Sequence, residues 1–406
     1  MTPRSVLSAR FRGLWVAVGL GLLAGLPAGV ASFVFLETLA RAIALRENHA
    51  TWLIWCLPIA AFAISGVYHH IGERAAGGTG LVMTETDAPT AAGVPRRMAP
   101  LVWGATVLAH LFGASVGREG VALQMAGSLA DGHGRYLRLT DGQRRTLLHA
   151  ALAGGFGSVF GVPWAGVLFA FEVRRRWRSG VATVTAAVVA SVSGDRVVTL
   201  LGHRHPPYPQ LTSGFSVGLV GRTVIAGVVF GAIAALFVTA TEMVRRQLAR
   251  VAYPPLRAAI AGVIVVIGAG TLGRQYLSLS LPLATASLAG LRPPGLAWLT
   301  KLGFTAVSVG GGIPGGEVTP LFVTGATLGG AVAVVIHAPI AVFAGLGFVA
   351  VFGAAAKTPL ACTVMFAELF GTDLALLAII ACAVARLVSG RRAIYPPRVG
   401  AVGVAG

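Results

Sequence analysis

Charged residues are scarce in this chain. They make up 11% of its 406 residues, and only 14 residues are acidic, whereas soluble globular proteins carry about 25% charged residues. Hydrophobic residues make up 55%, and the mean hydropathy is +0.79. This composition excludes an ordinary soluble domain and predicts an all-α polytopic membrane protein.

Long uninterrupted apolar runs are also few. A helix that spans a bilayer needs about 20 consecutive apolar residues, but many runs here are shorter and are broken by some of the 55 glycines and 21 prolines. Broken or re-entrant helices are tolerated at membrane depth only where protein or a watery cavity satisfies their backbone. The pattern therefore predicts a transporter or channel rather than a simple anchor, with residues 14 to 35 as a first, uncleaved span.

Cysteine is nearly absent as well. Cys56, Cys362 and Cys382 lie in apolar runs without metal-like spacing, which indicates packing residues and neither a disulfide framework nor a metal site. The sequence contains no H-E-x-x-H motif and no nucleophile constellation. We therefore expect no cofactor, no metal and no enzyme. These absences disfavour the alternative of an intramembrane enzyme that uses Glu119 and Glu317 as an acid pair.

Positive charge, by contrast, is abundant: the formal net charge is +18. In a soluble protein this charge would suggest nucleic acid as a partner. In a membrane protein, arginine enrichment in cytoplasmic loops accounts for it and places both termini on the cytoplasmic side of the cell (inner or plasma) membrane, so no nucleic-acid partner is expected. The loop arginines are Arg4, Arg10, Arg12, Arg174, Arg175, Arg176, Arg178, Arg245, Arg246, Arg391, Arg392 and Arg398.

A polar, proline-rich patch at residues 203 to 209 divides the apolar sequence in two. It predicts a linker at residues 201–216 between a first membrane repeat, 1–200, and a second membrane repeat, 217–390. A short basic cytoplasmic tail, 391–406, is expected to follow. Together these segments form one integral membrane domain.

The two halves share residues at identical spacing. Glycine, glutamate, leucine and glycine stand at 117, 119, 123 and 127 and again at 315, 317, 321 and 325, and Pro163, Ala165 and Glu172 recur as Pro359, Ala361 and Glu368. The offsets are 198 and 196 residues, so one repeat register accounts for both matches and makes Glu119 and Glu317 equivalent. Transporters are often built from such duplications, with the substrate near the midplane between broken helices of both repeats.

Glycine-rich stretches begin three of the apolar segments. They lie at residues 77–80, 117–121 and 315–319. Backbone N–H groups at helix N-termini are fixed donors that need no counter-charge, so these stretches are suited to an anion that has lost its water. The hydroxyls that could add donors are those of Thr79, Thr319 and Tyr395.

Glu119 stands within one of these anion-friendly stretches. At about 4 Å and an effective dielectric near 20, a bound anion would repel its carboxylate by about 4 kcal/mol, so anion binding and protonation would favour each other. Alternatively, the ionised carboxylate occupies the anion's own site and blocks it. A side chain that alternates between these states couples an anion moving one way to a proton moving the other. A purely structural pair with Arg118 is the competing interpretation.

Other acids receive structural interpretations. Glu172 and Glu368 end apolar helices, where an acid can simply face water. Glu73, Glu85 and Asp87 lie in a predicted polar loop and are expected to be solvated.

At these residues the sequence resembles the CLC family of anion channels and anion/proton antiporters over nearly the whole chain. G-R-E-G at 117–120 resembles the family's gating-glutamate motif, and residues 154 to 172 resemble the segment that follows it. Residues 316 to 320 stand at the family's anion loop, Tyr395 at its central tyrosine and residues 78 to 82, loosely, at its first anion loop. The resemblance implies a homodimer in the bilayer, with one pathway per subunit and two inverted repeats of tilted, discontinuous helices.

The resemblance implies functional residues as well. Glu119 corresponds to the gating and proton-coupling glutamate. The corresponding anion-binding residues are Gly78, Thr79, Gly80, Gly117, Arg118, Gly120, Val121, Glu317, Val318, Thr319 and Tyr395.

Four departures from the family pattern are informative. Val121 replaces the usual proline, Thr79 replaces the serine expected to contact chloride, and Glu317 stands in the anion loop. Val173 stands where chloride/proton exchangers carry an internal proton-transfer glutamate. These departures resemble the fluoride-selective clade, whose recurring string G-G-E-V-T-P-L-F is intact at 315–322.

The sequence thus predicts a fluoride/proton antiporter that exports fluoride, with Glu317 and Thr319 helping to carry the anion. Glu317 in an anion site is expected to be protonated part of the time; if it points away from the anion, it is a structural cap. The alternatives are a chloride/proton antiporter or a passive chloride channel of the same family. A non-catalytic scaffold is the alternative outside the family, and it would not need acids in repeated glycine-rich helix starts.

Overall fold

The computed structural model describes residues 3–49, 51–174, 179–214 and 216–395. Within these residues the chain forms sixteen α-helices, joined by loops and short 3-10 or π turns, and no β-strand. This confirms the predicted all-α fold. The basic residues that lie outside the described residues are Arg175, Arg176, Arg178 and Arg398, together with the side chains of Arg4 and Arg10 and the predicted tail beyond residue 395.

The helices divide into two series of eight. The first series is α1 (Pro3–Asn48), α2 (Leu57–Val67), α3 (Gly78–Asp87), α4 (Met98–Leu111), α5 (Glu119–Tyr136), α6 (Asp141–Phe160), α7 (Pro163–Glu172) and α8 (Val181–Leu200). The second series is α9 (Val217–Leu248), α10 (Pro254–Leu272), α11 (Leu281–Leu288), α12 (Ala297–Gly310), α13 (Val318–Val335), α14 (Ile340–Ala356), α15 (Pro359–Phe370) and α16 (Ala375–Val388).

Six helical segments of the described chain are long and apolar enough to cross a membrane. Large apolar side chains such as Trp15, Ile59 and Val217 lie on the outside of the molecule, where a soluble protein would place polar groups. Helix α13 differs from the other spans, because 78% of its most apolar window is buried inside the protein. The N-terminus of α13 is therefore placed in the interior of a polytopic membrane protein.

Three consecutive helices of the first series recur in the second series with an offset of 199 residues. Helices α4, α5 and α6 begin at Met98, Glu119 and Asp141, and their counterparts α12, α13 and α14 begin 199 residues later. This confirms the internal duplication that the sequence predicts. The predicted boundaries of the repeats and of the linker at 201–216 stay predictions.

The predicted equivalence of Glu119 and Glu317 is wrong by one residue. Arg118 and Glu317 are the residues that precede α5 and α13, and both have a φ of −109°. Glu317 is therefore the counterpart of Arg118, and Glu119 is the counterpart of Val318. Because a shift of one residue turns a helical side chain by about 100°, the two acids point in different directions.

Helices α7 and α15 are joined by reciprocal capping between the repeats. The carboxylate of Glu172 accepts hydrogen bonds from the backbone N–H groups of Leu360 and Ala361, at 3.0 and 2.8 Å. The carboxylate of Glu368 accepts from the N–H groups of Trp164 and Ala165 at the same two distances. Each acid ends one helix and satisfies the unpaired donors at the start of the other. The structural interpretation of both acids holds, but their partners are helix N-termini rather than water.

Replacing either Glu172 or Glu368 by glutamine is expected to lower stability. Each substitution weakens two charge-assisted hydrogen bonds inside the membrane domain, so we expect a loss of about 1–3 kcal/mol per site. Thermal unfolding of the detergent-solubilised protein measures the loss. Glu242→Gln, at an acid that binds Arg245 and Arg246 at the exposed end of α9, is the matched control. A melting temperature equal to that of the control would show that the reciprocal capping is dispensable.

The polar segment before α4 is more ordered than the sequence predicts. Glu85 is buried in α3, where it pairs with Arg74 at 2.9 Å and accepts hydrogen bonds from the backbone N–H and hydroxyl of Thr90. Asp87 pairs with Arg174. The prediction that Glu85 is solvated is wrong, because the segment folds into a helix packed on α5 and α6 rather than into a loop.

Candidate functional site

The two glycine-rich stretches meet through their backbones. The N–H of Gly117 donates to the carbonyl of Gly316 at 2.5 Å, and the N–H of Gly316 donates to the carbonyl of Gly117 at 2.8 Å. Glycine is required for this approach, because a Cβ on Gly316 would lie 2.9 Å from the backbone nitrogen of Gly120. The pairing brings the N-termini of α5 and α13 together in the interior of the protein.

The Glu119 carboxylate occupies the N-terminus of the opposite helix. It is fully buried. Its Oε2 accepts hydrogen bonds from the backbone N–H groups of Thr319 at 3.0 Å and Arg118 at 3.1 Å, and its Oε1 accepts from the Thr319 hydroxyl. These donors form a site for one negative charge. The carboxylate therefore stands where a free anion would bind.

Arg118 contributes less to Glu119 than a structural ion pair would. Its Nε lies 3.5 Å from Glu119 Oε1, and this nitrogen is buried without a hydrogen-bond partner among the described residues. The closer contacts of Glu119 are to Thr319 and to the backbone. The Glu119 carboxylate is thus bound mainly by backbone N–H groups and a hydroxyl, with the Arg118 guanidinium beside it. A free anion can take its place at these donors.

The third glycine-rich stretch also reaches this place. Helix α3 begins at Gly78, and the hydroxyl of Thr79 donates to the carbonyl of Gly120 at 3.3 Å. The side-chain amide of Gln124 donates to the Thr79 hydroxyl at 3.2 Å. Gln124 was not predicted as a site residue, although its position four residues after Gly120 places both residues on one face of α5.

A cavity of about 950 Å³ opens onto these residues. Val121 and Val318 are buried in the first turns of α5 and α13 and do not line it. Arg174, Arg245 and Arg257 bring positive charge to the cavity wall. Other lining residues are Gly78, Thr79, Gly80, Gly120, Gln124, Gly316, Glu317 and Tyr395. The structure thus brings the three glycine-rich stretches and Tyr395 to one water-accessible place.

Glu317 lines two cavities rather than capping its helix. It precedes α13, yet its side chain makes no capping hydrogen bond. Glu317 lines the large cavity and a second cavity of about 290 Å³, and Arg245 and Ile394 line both cavities as well. The alternative of a structural cap is therefore wrong. Tyr395 lies nearby, with its ring edge-on to Phe169 at 6.3 Å between centroids.

The described residues contain no group of three or more His, Cys, Asp or Glu side chains that could hold a metal ion. The donors gathered at the site are backbone N–H groups, hydroxyls, an amide and arginine. This set suits an anion, and the two acids add groups that can take up or release protons.

Known proteins resemble this chain over most of its length. A protein-family model described as voltage gated chloride channel matches residues 59–390. The chloride/fluoride channel protein of Pseudomonas syringae pv. tomato is 44% identical over 396 residues, which cover 94% of this chain and 85% of the relative. The H(+)/Cl(-) exchange transporter ClcA of Vibrio cholerae is 26% identical over 251 residues, or 54% of this chain and 50% of the relative.

Solved structures show the same fold. The crystal structure of a CLC-type fluoride/proton antiporter has a TM-score of 0.88 to this chain at 29% sequence identity and covers 98% of each chain. The structure of a slow cyanobacterial Cl⁻/H⁺ antiporter has a TM-score of 0.81 at 18% identity, with 95% of this chain and 96% of that chain covered. The second likeness concerns the fold alone. Both likenesses extend over nearly the whole of this chain.

Proposed function

The chain belongs to the CLC family of voltage gated chloride channels, and on that premise we propose that it exchanges fluoride for protons and exports fluoride from the cytoplasm. It is a multi-pass membrane protein of an anion-transporting family rather than an enzyme. Membership of this family does not establish which anion is transported, or whether its transport is coupled to proton transport.

The observation that carries the proposal is the place of the Glu119 carboxylate. It binds the backbone N–H and hydroxyl of Thr319, so an ionised Glu119 and a bound anion compete for the same donors. Protonation removes the charge that holds the side chain there and frees the donors for an anion. Each exchange of carboxylate for anion therefore requires a proton, which is the coupling that an antiporter needs.

The donor set favours fluoride within the anion class. Fluoride is small and strongly hydrated, and it accepts short hydrogen bonds from hydroxyl groups, which are among the strongest when one partner is charged. Thr319 and Thr79 supply hydroxyls, and a protonated Glu317 would supply a third O–H donor at the cavity wall. The names of a chloride/fluoride channel protein and a fluoride/proton antiporter among the relatives support the same anion class.

A chloride/proton antiporter or a passive chloride channel is the second candidate. Chloride is named in relatives of this chain, and the cavity of about 950 Å³ excludes neither halide by size. Val173 stands where the resemblance implies an internal acid in chloride/proton exchangers, which disfavours a chloride/proton antiporter with that proton route.

Efflux from liposomes separates the two candidates. Purified protein is reconstituted into vesicles loaded with fluoride or with chloride, and efflux is followed with an ion-selective electrode for each anion. We expect fluoride efflux well above chloride efflux at matched gradients, with empty vesicles as the baseline. Chloride efflux as fast as fluoride efflux would defeat the leading proposal and favour the second candidate. A purified protein that moves neither ion would favour a scaffold.

We propose the following site: Glu119 as the gating and proton-coupling residue, with Gly78, Thr79, Gly80, Gly117, Arg118, Gly120, Val121, Glu317, Val318, Thr319 and Tyr395 around the anion. A homodimer with one pathway per subunit and two cytoplasmic termini completes the proposal. Single cysteines near each end, labelled by a membrane-impermeant reagent in inside-out vesicles only, would support that orientation.

Substitutions of Glu317 test its part in anion transport. An amide keeps an N–H donor, whereas alanine has none, so we expect Glu317→Ala to lower fluoride flux by about tenfold and Glu317→Gln to lower it less, since one hydrogen bond to a charged partner contributes about 1.5–3 kcal/mol. Initial fluoride efflux per protein measures the difference. Equal, wild-type rates in both variants would remove Glu317 from the site.

A further inference from the structure

Lys301 is a fully buried lysine held by oxygen atoms from two other segments. Its Nζ donates to the hydroxyls of Ser115 and Ser280, both at 3.0 Å, and to the carbonyls of Ser278 at 2.6 Å and Tyr276 at 3.2 Å. An ammonium has three N–H donors and no acceptor. Four oxygens around one nitrogen therefore saturate it, and the arrangement is that of a bound cation site filled by a side chain.

No carboxylate pairs with Lys301 among the described residues. The guanidinium of Arg46, the one charge that acts on Lys301 among the described residues, brings positive rather than negative charge. A buried charge without a counter-ion is costly. A side chain that served only to fill space could be methionine or leucine, so the presence of an amine at this place requires another explanation.

Two of the four oxygens around Lys301 belong to residues with strained backbone. Ser278 and Ser280 have φ angles of +56°, a region that residues other than glycine rarely adopt. Such strain persists only where the surroundings over-determine it, and it clusters at functional sites. The Ser278 carbonyl is turned toward Nζ, and its hydroxyl bonds to Nδ1 of His110 at 2.7 Å. The lysine therefore organises the connection between α10 and α11.

Ser115 connects this cluster to the Glu119 loop. Its hydroxyl bonds to the hydroxyl of Thr305 at 2.9 Å, and its backbone N–H donates to the hydroxyl of Ser308 at 3.2 Å. Ser115 is thus held by three side chains of α12. It lies two residues before Gly117, whose backbone pairs with Gly316 and so fixes the distance between the N-termini of α5 and α13.

The choice of lysine at this position is unusual for this chain. Only Lys301 and Lys357 are lysines, and the other 30 basic side chains are arginines. A planar guanidinium spreads its five donors in a fork, whereas an ammonium is a compact charge that converging oxygens can surround. The four contacts of Lys301 require the second geometry.

We propose that Lys301 is a positioning residue for ion exchange at Glu119. Its buried amino group holds Ser115, and through Ser115 the Gly117–Gly316 pairing, so that the Glu119 carboxylate meets the donors of Thr319. The inference rests on the proposed fluoride/proton exchange. It adds that tight coupling depends on a buried lysine that touches neither the anion nor Glu119.

The test compares Lys301→Met with Lys357→Met in liposomes. Methionine conserves the length of the side chain without its charge. Lys357 follows α14 and donates to the carbonyl and hydroxyl of Ser389, and it is the matched control. The primary readout is the number of protons moved per fluoride, because a ratio does not change when less protein is folded. We expect Lys301→Met to lower this ratio by about two- to tenfold and to raise the fluoride KM, while Lys357→Met keeps the wild-type ratio.

A Lys301→Met protein with wild-type ratio and KM would overturn the inference. If Lys301→Met yields no folded protein, Ser115→Ala tests the inference instead. This variant keeps Lys301 and removes the hydroxyl oxygen that connects the lysine to the Glu119 loop. A lowered ratio in Ser115→Ala supports the inference, and an unchanged ratio overturns it. Failure of the wild-type protein to couple fluoride to protons is a different outcome, which defeats the proposed function.

Discussion

Glu119→Gln is expected to abolish fluoride-driven proton movement while the fold is retained. Glutamine has nearly the shape of the acid and can still accept a hydrogen bond from Thr319, whose N–H and hydroxyl now hold the carboxylate. It cannot take up or release a proton at any ordinary pH. The exchange of a charged side chain for a charged anion is thereby lost, and with it the reason for proton coupling.

Proton uptake by vesicles with an outward fluoride gradient measures this loss. We expect uptake through Glu119→Gln to equal that of empty vesicles. The corresponding change Asp141→Asn, at an exposed acid at the start of α6 that lines neither cavity, is the control and should keep wild-type uptake. Proton uptake through Glu119→Gln at the wild-type rate would remove Glu119 from the coupling mechanism.

Thr319→Val is expected to lower fluoride flux by about 10- to 100-fold. Valine keeps the shape and the backbone N–H but removes the hydroxyl, and a hydrogen bond to a charged partner contributes about 1.5–3 kcal/mol. In the structure this hydroxyl donates to the Glu119 carboxylate, and we expect it to donate to the anion once the carboxylate leaves. Initial fluoride efflux per folded protein is the measurement.

Two control variants are compared with Thr319→Val. Thr319→Ser keeps a hydroxyl and should retain most of the flux. Thr327→Val removes a hydroxyl from the same helix, where it donates to the carbonyl of Val323 at 2.8 Å, and should leave flux unchanged. Equal flux in Thr319→Val and Thr319→Ser would show that the hydroxyl does not bind the transported ion.

Composition and motifs were sufficient to predict the membrane fold, the duplication and the meeting of the glycine-rich stretches. They could not set the repeat register to the residue. Matching identical residues aligns Glu119 with Glu317, whereas the backbone pairs Gly117 with Gly316 and makes Arg118 the counterpart of Glu317. Only the three-dimensional pairing separates these registers.

The sequence alone could not predict hydrogen-bond partners that are far apart along the chain. Glu172 and Glu368 end apolar helices, but each satisfies backbone donors about 190 to 200 residues away. Lys301 stands in an apolar helix with no acid at helical spacing, and its partners come from two distant loops. Such contacts arise when the two repeats pack on each other, which local periodicity does not describe.

The central claim is that fluoride leaving through this protein moves protons the other way. Vesicles with the wild-type protein are loaded with fluoride, diluted into fluoride-free buffer of equal pH, and clamped at zero membrane potential with potassium and valinomycin. We expect the interior to become more acidic than the exterior, against the growing proton gradient, until the fluoride gradient is spent. Rapid fluoride efflux with no net proton movement would contradict the account and show a passive anion channel.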